Sequence, residues 1–263
     1  MIRQRVQTAV GALLLLLAST SLFAQGTVVG RVKLTGAAPP NARIPMGADP
    51  NCLTINAGKR VLQESVLRAA DGGLANVFVS VKGSFPKAPG GTAAVIDQRG
   101  CTYHPRIQGA RVGQTLSIKN SDATLHNIHS MSTKGNAFNT GQPQAGMVFK
   151  YQLKNEEVML HVKCDVHPWM TGYIGVVNHP YYATTNAAGA FTIAGVPAGK
   201  QTIQVWHEKY GFLTQTVDVK AGASTNADFN YTGNEKPAAA DNRIQELIVP
   251  ADATAIELIA ASR

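Results

Sequence analysis

The chain has 263 residues, 44% of them hydrophobic, enough to bury a core in one or two domains, and two is the expectation. Its 25 Gly and 13 Pro, with Val, Thr and Ala in short alternating runs, exclude a helical bundle and indicate an all-β fold. The formal net charge of +8 is diffuse, and no Lys or Arg run interleaves with aromatics. Nucleic acid is therefore not an expected partner; the charge favours at most an acidic partner or an anionic membrane surface.

Residues 1–24 read as an export signal. Arg3 and Arg5 make a basic start, residues 9–18 are apolar, and small residues lead to Ala24, where cleavage is expected. The apolar run is short for a transmembrane anchor and no Cys follows it to accept a lipid, so the mature protein is expected to be periplasmic or secreted, with no stable membrane anchor. Loss of the two arginines from the 24 basic side chains leaves a charge of about +6.

Strand-like alternation then covers residues 27–34, a Pro-, Gly- and Asn-rich connection covers 36–52, and a second strand covers 76–81. Residues 82–92 are rich in Gly and Pro and mark a boundary. From 93 to 178 the strand signals crowd together, at 93–97, 111–119, 125–131, 147–153, 158–164 and 172–177, a spacing that suits a Greek-key sandwich. Further strands at 181–185, 190–193, 201–206 and 214–219 make a second β module over 179–231. Residues 232–263 are rich in Ala and Asp, with a weak apolar set at Ile256, Leu258 and Ile259, and read as a tail or a docked terminal segment.

An oxidising compartment lets two of the three cysteines pair. Cys52 and Cys101 lie in loop-like surroundings, whereas Cys164 ends an apolar strand beside a His and a Met. A Cys52–Cys101 disulfide is therefore predicted, with Cys164 as a metal ligand.

The strongest chemical signal is the run from Val158 to Met170, which sets a thiolate (Cys164), an imidazole (His167) and a thioether (Met170) in one short loop after a strand. A mononuclear type 1 copper site uses such a set, completed by a second imidazole. Residues 120–129 offer His126 and His129. In a strand over 125–131, His126 shares a face with Ile128 and points inward, while His129 shares the other face with Asn127. The same parity turns Leu160, Val162 and Cys164 inward and His161 outward.

The Cys-x-x-His-x-x-Met spacing at Cys164, His167 and Met170, together with Asn120 followed by His126-Asn127-Ile128, resembles the cupredoxin (blue copper) family, with an amicyanin- or plastocyanin-like ligand motif. The resemblance covers roughly residues 93–177. It implies one copper ion, His126, Cys164 and His167 as equatorial ligands, Met170 as a weak axial ligand that tunes the potential, and Asn127 as a tie between the ligand loops. It also implies an electron carrier rather than an enzyme, with no catalytic residues, whose redox partner proteins dock near His167 and Trp169 on an apolar patch that includes Pro168. Val166 and Leu125 replace prolines common before the two histidines, and neither change removes a ligand.

Other readings of these residues stand beside that one. Cys164 and Met170 are common core residues, and a Cys164–His167 nucleophile pair is conceivable, though Met170 argues against it. No second Cys lies in the loop for a binuclear centre, a thioether is unusual in structural zinc sites, and the several His-x-His pairs of a multicopper oxidase are absent. His104, His179 and His207 read as surface or packing residues. In function, the alternatives are a copper-binding or copper-delivery protein that carries the metal as cargo, and a structural or binding sandwich with a vestigial site.

The second module resembles the carboxypeptidase regulatory-like (transthyretin-like) β-sandwich. The resemblance rests on Thr185-Asn186-Ala187-Ala188-Gly189-Ala190-Phe191, on Gly195-Val196-Pro197-Ala198-Gly199, and on the following strand. That family's first strands match Gly26-Thr27-Val28-Val29-Gly30-Arg31-Val32 and Asn76-Val77-Phe78-Val79, both of which precede residue 93. The copper-type sandwich is therefore expected to be inserted into the other one, the alternative being that residues 27–81 extend the copper-type sheets. Pairing of residues 28–34 with a strand after Tyr181 distinguishes the two.

Overall fold

The computed structural model describes residues 24–235, so the export signal and the apolar set of the tail lie outside the described residues. The protein is all-β, with two sandwiches, each around its own core. Among the described residues, no helix is long and apolar enough to cross a membrane.

One sandwich faces a five-stranded sheet against a four-stranded one. The first runs Ile107–Arg111, Thr171–Val177, Glu157–Lys163, His126–Ser130 and Asn139–Gln142; the second runs Thr102–His104, Ala94–Arg99, Thr115–Asn120 and Val148–Gln152. Alternation explains the facing. In Thr115–Asn120, Leu116, Ile118 and Asn120 are buried while Ser117 and Lys119 point away. The strand expected over 111–119 is instead two. Gly113, at φ 84°, turns the chain at a conformation glycine adopts readily, and the pieces on either side enter different sheets. The pieces Thr102–His104, Ile107–Arg111 and Asn139–Gln142 carry weak apolar alternation and complete the sheets.

The other sandwich draws on both ends of the described chain. Gln25–Leu34 pairs antiparallel with Ala190–Pro197, Val28 opposite Ile193, and parallel with Ser224–Asn226 and Phe229–Tyr231. Phe78–Lys82 lies between Tyr182–Thr184 and Gly199–His207, which in turn pairs with Gly211–Val219. The chain thus leaves this sandwich after Lys82, builds the other, and returns at Tyr182.

Residues 25–92, expected from their strands to belong to that other sandwich, do not all join it. Ile44, Met46 and Cys52 pack into the first core, with Ile55 and Val61 against it. This segment carries a short helix, Pro50–Ile55, capped by Asp49 and bound through Cys52 to Cys101. It lies over the end of the sandwich where the Cys164 loop emerges.

The two sandwiches meet on Phe78, Ile107 and Val177, with Tyr173, Tyr182 and Trp206 around them. Gly109 and Gly175 make the close approach possible, since a Cβ on either would run into the rings of Tyr182 or Phe78. Arg106 and Glu208 add a two-pronged ion pair across the junction, at 2.6 and 2.7 Å.

Candidate metal centre

The strand His126–Ser130 brings His126 in from one side, and the loop after Glu157–Lys163 brings Cys164, His167 and Met170 from the other. All four side chains are buried. His126 Nδ1 lies 3.1 Å from His167 Nδ1, and Cys164 Sγ lies 3.7 Å from the same nitrogen. The three donor atoms all fall within 4.8 Å of one another. His129, by contrast, points outward and pairs with Asp165 at 3.0 Å, as strand parity requires.

The loop closes on itself. The Cys164 amide donates to the Met170 carbonyl at 3.1 Å, the Met170 amide to the His167 carbonyl at 2.9 Å, and the His167 amide to Cys164 Sγ at 3.3 Å. Asn127 Oδ1 accepts from the Asp165 amide at 2.8 Å, the tie between the ligand loops that the family resemblance implies. Tyr103 OH donates to the Asn127 carbonyl at 2.6 Å.

Each histidine is gripped from behind by a carboxylate that sequence reasoning did not single out. His126 Nε2 lies 2.8 Å from Asp122 Oδ2, and His167 Nε2 lies 2.8 Å from Asp49 Oδ2. An ionised carboxylate only accepts, so each Nε2 carries its proton and each Nδ1 presents a lone pair. Two such lone pairs 3.1 Å apart, beside a sulfur, repel unless a proton or a cation lies among them. The donor set therefore fits a cation, and its thiolate, two imidazoles and nearby thioether suit copper.

Electrostatics agree. Burial pushes the Cys164 thiol up, but His126 and the amides of Asn127, His167 and Val166 outweigh it and hold the thiol below its ordinary value. Burial pushes Asp122 up as well, and His126 with the Cys101 and Gly100 amides brings it below the usual carboxylate range. His167 holds Asp49 below that range, helped by the Cys52 and Asn51 amides.

The Cys52–Cys101 disulfide sits directly behind the site, with Cys52 Sγ 3.5 Å from His167 Nε2. Both sulfurs are committed to that bond, so the groupings Asp49, Cys52, His167 and Cys101, Asp122, His126 form the outer support of one centre rather than further centres.

The exposed patch expected around His167 is not what surrounds it. His167 is 1% exposed and Trp169 7%, because Asp49 and its helix cover the imidazole and the Trp169 indole donates to the Cys101 carbonyl at 2.9 Å. Of this loop, Asp165, Val166 and Pro168 face solvent, and only the last two offer apolar surface. The other histidines take surface or packing roles: His104 is exposed beside Thr102, His179 packs between Phe85 and Tyr181, and His207 stacks on Tyr210.

No family model and no curated protein matches the chain. Solved structures similar to part of it include a purple cupredoxin from Nitrosopumilus maritimus, with 26% identity over 32% of this chain and 98% of that one, at a TM-score of 0.28. A Cu(I) amicyanin variant is similar at 19% identity, over 37% of this chain and 97% of that one, at a TM-score of 0.29. A copper-containing nitrite reductase from Thermus scotoductus SA-01 shares 19% identity over 36% of this chain, at a TM-score of 0.29, and the chain spans only 25% of its length. These likenesses reach about a third of the chain.

Proposed function

We propose that this is an exported protein that binds one copper ion through His126, Cys164, His167 and Met170 and passes single electrons between redox partners. The observation that carries this reading is the buried convergence of two imidazole Nδ1 atoms and one thiolate within 4.8 Å, at a loop that ends in Met170. When bound, copper supplies reversible one-electron exchange between Cu(I) and Cu(II).

The protein's own residues hold the donors in place beforehand. The amide tie from Asp165 to Asn127 fixes one ligand loop to the other, and the closed Cys164–Met170 turn limits movement when the charge of the centre changes. Burial of all four side chains excludes water and disfavours stepwise hand-over of the metal as cargo. The disulfide supports an oxidising location, periplasmic or secreted. Partners would approach over the exposed Val166 and Pro168. The second sandwich, read as carboxypeptidase regulatory-like, would be a rigid attachment that leaves that face free.

The test is a visible and electron paramagnetic resonance spectrum of the copper-loaded mature protein. An intense thiolate-to-copper band that is absent from Cys164→Ser, with one copper per chain and a reversible couple, is the expected result. An ordinary tetragonal Cu(II) spectrum in the unaltered protein refutes the reading.

A further inference from the structure

We propose that Asp49 and Asp122 are positioning residues that hold the reduction potential of the centre low, each through the imidazole it grips; this rests on the copper reading above. The two carboxylates make matching arrangements. Asp49 accepts from the Asn51 and Cys52 amides at 2.7 and 3.2 Å through Oδ1, and its Oδ2 lies 2.8 Å from His167 Nε2. Asp122 accepts from the Gly100 amide at 2.8 Å through Oδ1 and from the Cys101 amide at 2.8 Å through Oδ2, the oxygen that also meets His126 Nε2. Cys52 and Cys101 are the two halves of one disulfide. The bridge therefore joins the start of the helix that carries Asp49 to the 100–101 turn whose amides hold Asp122, and fixes both carboxylates behind the histidines.

Structure alone does not call for two anions here. A helix N-cap is filled as well by Asn, Ser or Thr, so the amides of Asn51 and Cys52 do not require a charge at position 49. What a carboxylate adds is a second oxygen aimed at an imidazole, and a negative charge held beside a buried site. Asp122 is 5% exposed, so little solvent screens it from the centre.

Both effects have one sign. A carboxylate on Nε2–H makes Nδ1 a stronger donor, which favours the more highly charged metal ion. Its negative charge, acting through a low-dielectric interior, likewise favours the oxidised centre, which carries one more positive charge than the reduced. With a thiolate already present, two further anions bias the site strongly toward Cu(II). Covering the His167 edge with Asp49 places one of these anions where a solvent-facing imidazole would have had water.

The experiment is spectroelectrochemistry on the full copper-loaded protein and on Asp49→Asn, Asp122→Asn, the double variant, and Asp71→Asn, a carboxylate paired with Arg31 in the other sandwich. Asp49→Asn is decisive, because an Asn whose Oδ1 caps the helix turns only its NH2, a donor, toward the imidazole Nε2–H and accepts nothing from it. At fixed potential its Cu(I) to Cu(II) ratio should rise about tenfold or more, a midpoint increase of about 59 mV for a one-electron couple, with the thiolate band and copper stoichiometry retained. Asp122→Asn should move the same way, the double variant further than either, and Asp71→Asn not at all. A retained thiolate band in Asp49→Asn with a ratio within about twofold of the unaltered protein overturns the proposal. If the unaltered protein itself lacks the band, the copper reading fails and this proposal with it, and the two failures are distinguished by which protein shows them.

Discussion

Asn120 uses its whole amide inside the protein. Nδ2 donates to the Thr124 carbonyl at 2.9 Å and the Gln142 carbonyl at 2.8 Å, and Oδ1 accepts from the Asp122 amide at 2.9 Å. These bonds set the turn that carries Asp122 and delivers His126. Asn120→Ala leaves two carbonyls and one amide unpaired in the interior, so it should lower stability by about 2–4 kcal/mol. Urea unfolding of the copper-loaded protein measures this, and a loss below about 1 kcal/mol would mean that water replaces the side chain. At this scale the side chains that converge in the interior were legible: strand parity separates His126 from His129, and loop spacing singles out Cys164, His167 and Met170. Their carboxylates were not. Asp49 lies 118 residues from His167, and its only local signal is Asp-Pro, an N-cap followed by proline at the first helical position. Asp122 stands four residues before His126, but that spacing has meaning on a helix and none in a turn that enters a strand.

Among the elements, the covering segment with the helix Pro50–Ile55 depends most on one bond. Six residues are too few for a helix to persist alone, so this one relies on its Asp49 cap, on packing of Ile44, Met46 and Cys52, and on the bridge to Cys101. Cys52 and Cys101 are 49 residues apart, and replacing both by Ser frees the segment in the unfolded chain and unclamps it in the folded one. The expected cost is about 2–5 kcal/mol, read as a lower denaturation midpoint, with increased amide exchange over residues 44–56. Unchanged exchange there would show that packing alone holds the segment. The disulfide was legible from the cysteine environments. The helix was not, because a run rich in Pro, Gly and Asn reads as connection when its few apolar residues face a core formed by strands that begin only at Ala94. The break at Gly113 was missed for a related reason: apolar alternation continues across it, and only the backbone turn shows that two sheets share the run.

At the scale of the whole molecule, the pairing of Gln25–Leu34 with Ala190–Pro197 was expected only through the resemblance of both segments to one sandwich family, whereas the junction between the sandwiches left no trace in the sequence. Gly109 and Gly175 look like ordinary strand glycines until Phe78 and Tyr182 are placed against them. The turn beside that junction also contains the residue that should govern acid stability. His207 is buried against Tyr210, its Nδ1 accepts from the Lys209 amide at 3.1 Å, and its Nε2 has no partner among the described residues. Burial, with the charges of Arg106 and Lys209, pushes its pKa down to about 3. The unfolded chain binds a proton there near pH 6.5, so between about pH 6.5 and 3 the unfolded state holds more protons and stability falls as pH drops. The stabilisation is fully present above that window. His207 alone should remove about 2 kcal/mol between pH 7 and pH 5. His161, pushed down to about 4 by burial and by the charges of Lys163 and Arg106, adds to the loss with the same sign. Denaturant unfolding at the two pH values checks this against His207→Phe, which keeps a ring on Tyr210 but cannot bind a proton. The variant should lose less stability on acidification by about that 2 kcal/mol, whatever its stability at pH 7. Equal pH dependence in both proteins would show that His207 reaches water and titrates alike in the folded and unfolded chains.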